Sequence, residues 1–330
     1  MKNNQYMNPI YKHEFPDPTI GKVGDTYYLY STAAFGDYHE NGQPFFSRGV
    51  IIKSKDLCNY EYVGEIFSED EYPRWGTKNA GVWAPDFLAL NGKYYLYYSL
   101  SILFDDNASI GIAVSDSPEG PFKDLGPIIR SKDIEVNNSI DPTVFRAYDG
   151  KLYIIWGSYR GIYGSELSDD GLALVGEKKH IAGFDKGEID LDTYEAAFMV
   201  KRKGMYYLFF STGKTLDGDK CTYHVVCAKS KYPLGPFSDS QGNTLQGRNE
   251  GDVVVTGLDN HFVGTGHCCV KEVGGDFWIF YHGVEIDQKY PEGYSRRILS
   301  MDKLLWDENE MPYVEGKVCS YQELKEGPKV

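Results

Sequence analysis

GDTYYLYST from Gly24 to Thr32, NGKYYLYYS from Asn91 to Ser99, DGKLYIIWGS from Asp149 to Ser158, KGMYYLFFS from Lys203 to Ser211 and GGDFWIFYHG from Gly274 to Gly283 are five versions of one phrase. Each sets a turn glycine ahead of an aromatic-rich apolar run. Asn-Gly and Asp-Gly are strong hairpin-turn dipeptides, and the runs after them have strand composition. The turn glycines Gly24, Gly92, Gly150, Gly204 and Gly275 lie 68, 58, 54 and 71 residues apart. An alternating strand ending in a polar turn follows each run: VIIKSKDL, IGIAVSDS, IYGSELSD, HVVCAKSK and RRILSMDK. Repeats of roughly 40–70 residues with about four strands each predict a β-propeller. Five copies and no strongly periodic helix predict an all-β, five-bladed β-propeller. No interdomain linker interrupts it, so residues 1–330 read as a single domain.

A shorter strand precedes each phrase, reading DPTIGKVG, APDFLALNG, DPTVFRAYDG, EAAFMVKRKG and HCCVKEVGG. Their first residues, Asp17, Ala84, Asp141, Glu195 and His267, stand 7, 8, 9, 9 and 8 residues before the turn glycines. In equivalent blades these five positions fall at one place in the innermost strands, which line the central channel. Three carboxyl groups gathered there repel one another, and that cost implies a task. Two carboxyl groups across a sugar suffice to hydrolyse a glycosidic bond, and a third can hold a partner's proton in place. The bland reading of each acid alone is a turn initiator or solvated loop end. Three acids and a histidine in register favour chemistry.

Bulk properties narrow the field further. The formal net charge of -14 argues against nucleic-acid and anionic-membrane partners, because nothing would neutralise phosphates. No stretch has the length of a membrane span, and the N-terminal MKNNQYMNPIYKHEFPDP has no apolar run, which predicts a cytoplasmic protein. The six cysteines form no CxxC pair and read as reduced structural residues. Neither a GxSxG elbow nor a P-loop is present.

Over essentially its whole length the chain resembles glycoside hydrolase family 43. The motifs that carry the likeness are FPDPTI at Asp17, VWAPDF at Trp83, SIDPTVF at Asp141, TYEAAF at Glu195, GTGH at His267 and the closing RRILSMDKLLWDENEMPYV. The resemblance implies an inverting glycosidase that needs no cofactor for its chemistry. It implies that Asp17 is the general base, Glu195 the general acid, and Asp141 the residue that orients Glu195 and raises its pKa. His267 matches a histidine that helps hold calcium or another cation, largely through water, although calcium prefers oxygen and a hydrogen-bonded channel histidine is an equal reading. Trp83 matches a sugar-contacting aromatic, and Ser158 a polar contact of the arabinanase group. Arg296 is a further candidate substrate contact.

Several segments are similar to arabinanases, among them SIGIAVSDSP and TYHVVCAKSKYPLGPF. The expected substrate is therefore an α-L-arabinofuranosidic oligosaccharide or polysaccharide, cut in endo or exo fashion. The stretch AAFGDYHENGQPFFSRG, residues 33–49, is longer than in internally cutting members; its Phe35, Tyr38, Phe45 and Phe46 would turn a groove into a pocket. That departure keeps an exo-acting β-xylosidase open as an alternative. A non-catalytic sugar-binding propeller is the alternative of another class, and the asymmetry of the axial residues speaks against it.

Overall fold

The computed structural model describes residues 4–38, 44–159, 161–184, 194–215, 217–247, 249–258, 261–289 and 295–330, with backbone alone at 35–38, 44–45, 219 and 288–289. The five phrases form the second strands of five antiparallel sheets. The first blade runs Thr19–Val23, Thr26–Tyr30, Val50–Ser54 and Glu61–Glu65, and the second Gly81–Leu90, Lys93–Ser101, Ser109–Ser115 and Lys123–Arg130. The third comprises Thr143–Arg146, Leu152–Trp156, Gly161–Leu167 and Lys179–Gly183. Glu195–Arg202, Met205–Thr212, His224–Ser230 and Asp252–Val255 make the fourth, while Phe262–Val273, Asp276–Lys289 and Ser295–Trp306 begin the fifth. Each innermost strand touches the next around the ring, and that of the fifth blade touches that of the first. The molecule is a five-bladed β-propeller.

Why the second strands are apolar without interruption follows from that ring. Successive side chains of a strand point to opposite faces, and here both faces meet a neighbouring blade. Tyr28 and Tyr30 pack with Leu96 and Tyr98 of the second blade, whereas Tyr27 and Leu29 pack with Trp278 and Phe280 of the fifth. Tyr97 turns to Ile154 and Trp156, Tyr153 and Ile155 to Leu208 and Phe210, and Tyr207 and Phe209 to Ile279 and Tyr281. Five interblade cores result. Each fully buried large side chain contributes about 1.5–3 kcal/mol.

The seam is closed at both chain ends. Tyr11–Glu14 pairs with Ser295–Trp306, and Pro312–Val314 pairs farther along that same strand. Gln5–Met7 pairs with Leu324–Glu326. Beneath these strands the Asp302 carboxylate accepts hydrogen bonds from the hydroxyls of Tyr281 and Ser320, 2.5 Å each, and from Tyr6 at 3.4 Å. Asn8 donates to the same carboxylate and to the Met301 carbonyl.

Inside the channel, Asp86 of the second blade accepts the Thr19 hydroxyl of the first at 2.9 Å and the Val144 amide of the third at 2.6 Å. Burial pushes its pKa up to about 6, against the opposing pull of these donors. Between the ordinary value near 3.8 and about 6, the folded chain therefore holds a proton that the unfolded chain has released. Asp86's contribution to stability is fully present below that window and declines as pH rises through it. Relative to an Asp86→Asn variant, the wild-type protein is expected to lose about 2 kcal/mol between pH 4 and pH 7. Urea unfolding of both proteins across that range checks it; a constant difference would contradict it.

Candidate active site

A left-handed residue stands just ahead of, or inside, every innermost strand. Asp17 (φ 53°), Ala84 (44°), Asp141 (57°), Ala196 (58°) and His267 (50°) all adopt the conformation that L-residues avoid. In the second, fourth and fifth blades the ladder slips at this point, between Trp83 and Asp86, Glu195 and Phe198, and Gly266 and Cys269. Such bulges re-aim side chains and recur beside active sites.

The spacing argument placed Glu195 in line with Asp17 and Asp141, and the structure corrects this by one residue. Glu195 pairs with Ser211 as Trp83 pairs with Ser99 and Gly266 with His282. Its blade's left-handed position is Ala196. The acid therefore shares its place in the repeat with Trp83, which is half-buried with its indole over Gly81.

Each left-handed amide is held by the preceding blade. Ala84 N–H donates to Thr32 Oγ1 (2.8 Å), Asp141 N–H to Ser99 Oγ (2.8 Å) and His267 N–H to Ser211 Oγ (2.8 Å). Asp17 N–H donates to His282 Nδ1 (3.1 Å). Thr32, Ser99, Ser211 and His282 all end their aromatic phrases, so the repeat carries its own clasp. The third blade departs from the pattern. Ala196 N–H donates to Asp141 Oδ2 (3.2 Å), and Ser158, free of that duty, donates from Oγ to Glu195 Oε2 at 2.7 Å.

Asp17 is the most heavily contacted of the three acids. Thr32, whose lone pair is taken by Ala84, donates its hydroxyl to Asp17 Oδ2 at 2.5 Å. Arg297 Nη1 lies 3.2 and 3.4 Å from the two carboxylate oxygens. The Nδ1 atoms of His267 and His282 lie 3.2 and 3.1 Å from Oδ1. His282 Nδ1 has one hydrogen-bonding direction, so it either accepts the Asp17 amide or donates to the carboxylate. Burial alone would raise Asp17's pKa, but Arg297, then His267 and His282, hold it well below the usual carboxylate range. Burial lowers both imidazoles below the ordinary value of 6.5. Arg297 is thus the permanent counter-charge.

Asp141 is driven the other way. Burial first, then the Glu195 and Asp17 carboxylates, push its pKa well above the ordinary value, against the Ala196 amide and Arg297. The axis therefore holds one carboxylate kept ionised beside one that resists ionisation. That divergence of neighbouring acids marks acid–base sites.

Of the sequence candidates, Asp17, Asp141, Glu195, Ser158 and His267 come together. Arg296 does not join them: its guanidinium donates to the Lys12 carbonyl at the seam, and its neighbour Arg297 reaches the axis. Adjacent residues of a strand face opposite sides, and the sequence reading chose the wrong one. Phe35 belongs to the strand Phe35–Tyr38, which pairs with Pro44–Phe46, but its side chain lies outside the described residues. The cation expected at His267 finds no cage. Among the described residues no group of three or more His, Cys, Asp or Glu is arranged to hold a metal. His267 Nδ1 faces Asp17, beside a guanidinium that opposes a second cation. The described side chains therefore assemble no ligand set for calcium, and His267 meets the Asp17 carboxylate through Nδ1. The sequence candidates did not include Arg297, Thr32 or His282; for Thr32 and His282 the recurring polar residue near the end of the phrases was the available signal.

Comparison with known proteins agrees with this geometry. The chain is 28% identical to an extracellular exo-α-(1→5)-L-arabinofuranosidase of Cellvibrio japonicus, over 91% of this chain and 86% of that protein. It is 32% identical to an extracellular endo-α-(1→5)-L-arabinanase of Bacillus subtilis, over 69% of each. The structure of a Cellvibrio cellulosa α-L-arabinanase complexed with arabinohexaose superposes with a TM-score of 0.79 at 26% identity, covering 92% of this chain and 96% of that one. The extracellular names overturn the expectation of a cytoplasmic protein, for which the polar first residues were no sound guide. The model of glycosyl hydrolases family 43 matches residues 6–312, and the chain belongs to that family.

Proposed function

We propose that residues 1–330 form one catalytic unit, a secreted hydrolase that cleaves α-L-arabinofuranosidic linkages of arabinan or arabino-oligosaccharides with inversion. The observation that carries this reading is the opposite drive on Asp17 and Asp141, with Asp17 and Glu195 both close enough to act on the charge of Asp141. Asp17, kept ionised, takes the proton of the attacking water as general base. Glu195 gives its proton to the leaving oxygen as general acid. Asp141 aligns the Glu195 segment through the Ala196 amide, and burial beside the Glu195 and Asp17 carboxylates makes Asp141 itself reluctant to ionise. Ser158 fixes the rotamer of Glu195. Trp83 supplies an apolar face for the sugar's C–H surface. Two carboxyls and a water complete the reaction without a cofactor.

The substrate follows from the relatives, which act on α-(1→5)-linked arabinose by name. The hairpin of Phe35–Tyr38 and Pro44–Phe46 begins three residues beyond Thr32, whose hydroxyl donates to Asp17. A wall there favours release from chain ends. Incubated with linear arabinan, arabino-oligosaccharides and xylobiose, the enzyme is expected to release arabinose alone from the arabinosides. A ladder of oligomers would contradict the exo mode. Cleavage of xylobiose in place of the arabinosides would contradict the substrate.

A further inference from the structure

Trp83 stands between two residues that the first blade holds from outside. The Val82 carbonyl accepts the Ala33 amide at 2.8 Å, and the Ala84 amide donates to Thr32 Oγ1 at 2.8 Å. Thr32 and Ala33 lead into the hairpin of Phe35–Tyr38 and Pro44–Phe46, whose base is closed by the Ser47 amide donating to the Ala34 carbonyl at 2.9 Å. A third tie comes from Tyr72, in the connection between the first and second blades. Val82 N–H donates to its hydroxyl at 3.1 Å.

Tyr72 also touches the hairpin. Its ring meets Phe46 edge-on, with centroids 6.2 Å apart and planes at 74°. Phe67 makes a second edge-on contact at 6.1 Å and packs in turn on Tyr98, in the core between the two blades. Val82 is fully buried, so its amide has no water to replace a lost acceptor. A phenylalanine at 72 would pack on Phe46 and Phe67 equally well; the hydroxyl is what reaches Val82. Burial holds the pKa of that phenol above its ordinary value, against the pull of the Val82 amide and Arg48. Gly81 completes the arrangement, since a Cβ there would stand 2.6 Å from Trp83 Nε1.

We propose that Tyr72 is a positioning residue for substrate binding, which locks Trp83 and the hairpin of Phe35–Tyr38 and Pro44–Phe46 into one unit through the Val82 amide and the Phe46 ring. The inference rests on reading Trp83 as the apolar platform for the sugar. Platform and wall then keep a fixed separation, and that separation sets the width offered to a sugar ring.

The test measures arabinotriose binding by calorimetry in Glu195→Gln, alone and combined with Tyr72→Phe, with Trp83→Ala and with both. Tyr72→Phe is expected to raise Kd on the order of fivefold, and Trp83→Ala to raise it by more. Added to Trp83→Ala, Tyr72→Phe is expected to change Kd little, because its effect runs through the indole. In the active enzyme, Tyr72→Phe is expected to raise KM with kcat retained. Unchanged binding by Tyr72→Phe, where Trp83→Ala binds weakly, would overturn the proposal and leave the platform reading standing. So would a lowered melting temperature with Kd unchanged, or equal losses from Tyr72→Phe with and without the indole. If Trp83→Ala binds as tightly as its parent, the platform reading falls and takes the proposal with it.

Discussion

Asp17→Asn is expected to lower kcat on arabino-oligosaccharides by roughly 10²–10⁴-fold while leaving the protein folded. Asparagine keeps the volume of the side chain but has no basic oxygen with which to take a proton from water. Its amide still offers an acceptor to Thr32 or Arg297, so the clasp loses only part of its bonding. Alanine is the less informative change. It leaves the Arg297 guanidinium, deeply set against Asp17, without its counter-charge, and such a loss costs about 3–5 kcal/mol. Activity and thermal unfolding measured on both variants separate the two effects. An Asp17→Asn enzyme that keeps more than about a tenth of its turnover would remove Asp17 from the role of base.

The largest effect on stability is expected at Asp302, remote from the chemistry. Asp302→Ala takes the acceptor away from Tyr281, Ser320, Tyr6 and Asn8 at once. A buried donor left unsatisfied costs about 1–3 kcal/mol, and relaxation around the smaller side chain recovers part of that. The net destabilisation is expected to be about 4 kcal/mol, read as a lowered midpoint in urea with kcat unaltered in the fraction that stays folded. A midpoint within error of wild type would show that the seam is held by its strands alone.

The architecture was legible because its signal is local and repeated. A turn glycine followed by an uninterrupted apolar run means a strand buried on both faces, and five such runs leave little choice but a ring. Asp17 and Asp141 were legible for the same reason, since each heads a strand at a fixed distance from its turn. Glu195 was found, but its register was not. Spacings of 7 to 9 residues tolerate a one-residue error, and only the left-handed Ala196 reveals it. Arg296 and Arg297 are adjacent in sequence, and the choice between them depends on the strand's facing, which no periodicity in SRRILS determines. The closing strand Tyr11–Glu14 was invisible for another reason. YKHE has no buried face and takes its strand form from Ser295–Trp306.

Of the four groups that grip Asp17, Thr32 comes from its own blade and His267, His282 and Arg297 from the last, although Asp17 lies near the start of the chain. During synthesis the ribosome makes Asp17 almost first and the charged part of its cradle almost last. A nascent or truncated chain lacking the final blade lacks the guanidinium and both imidazoles that surround Asp17. Competence for hydrolysis thus arrives as a late, all-or-none event, and the enzyme is inert for most of its own manufacture.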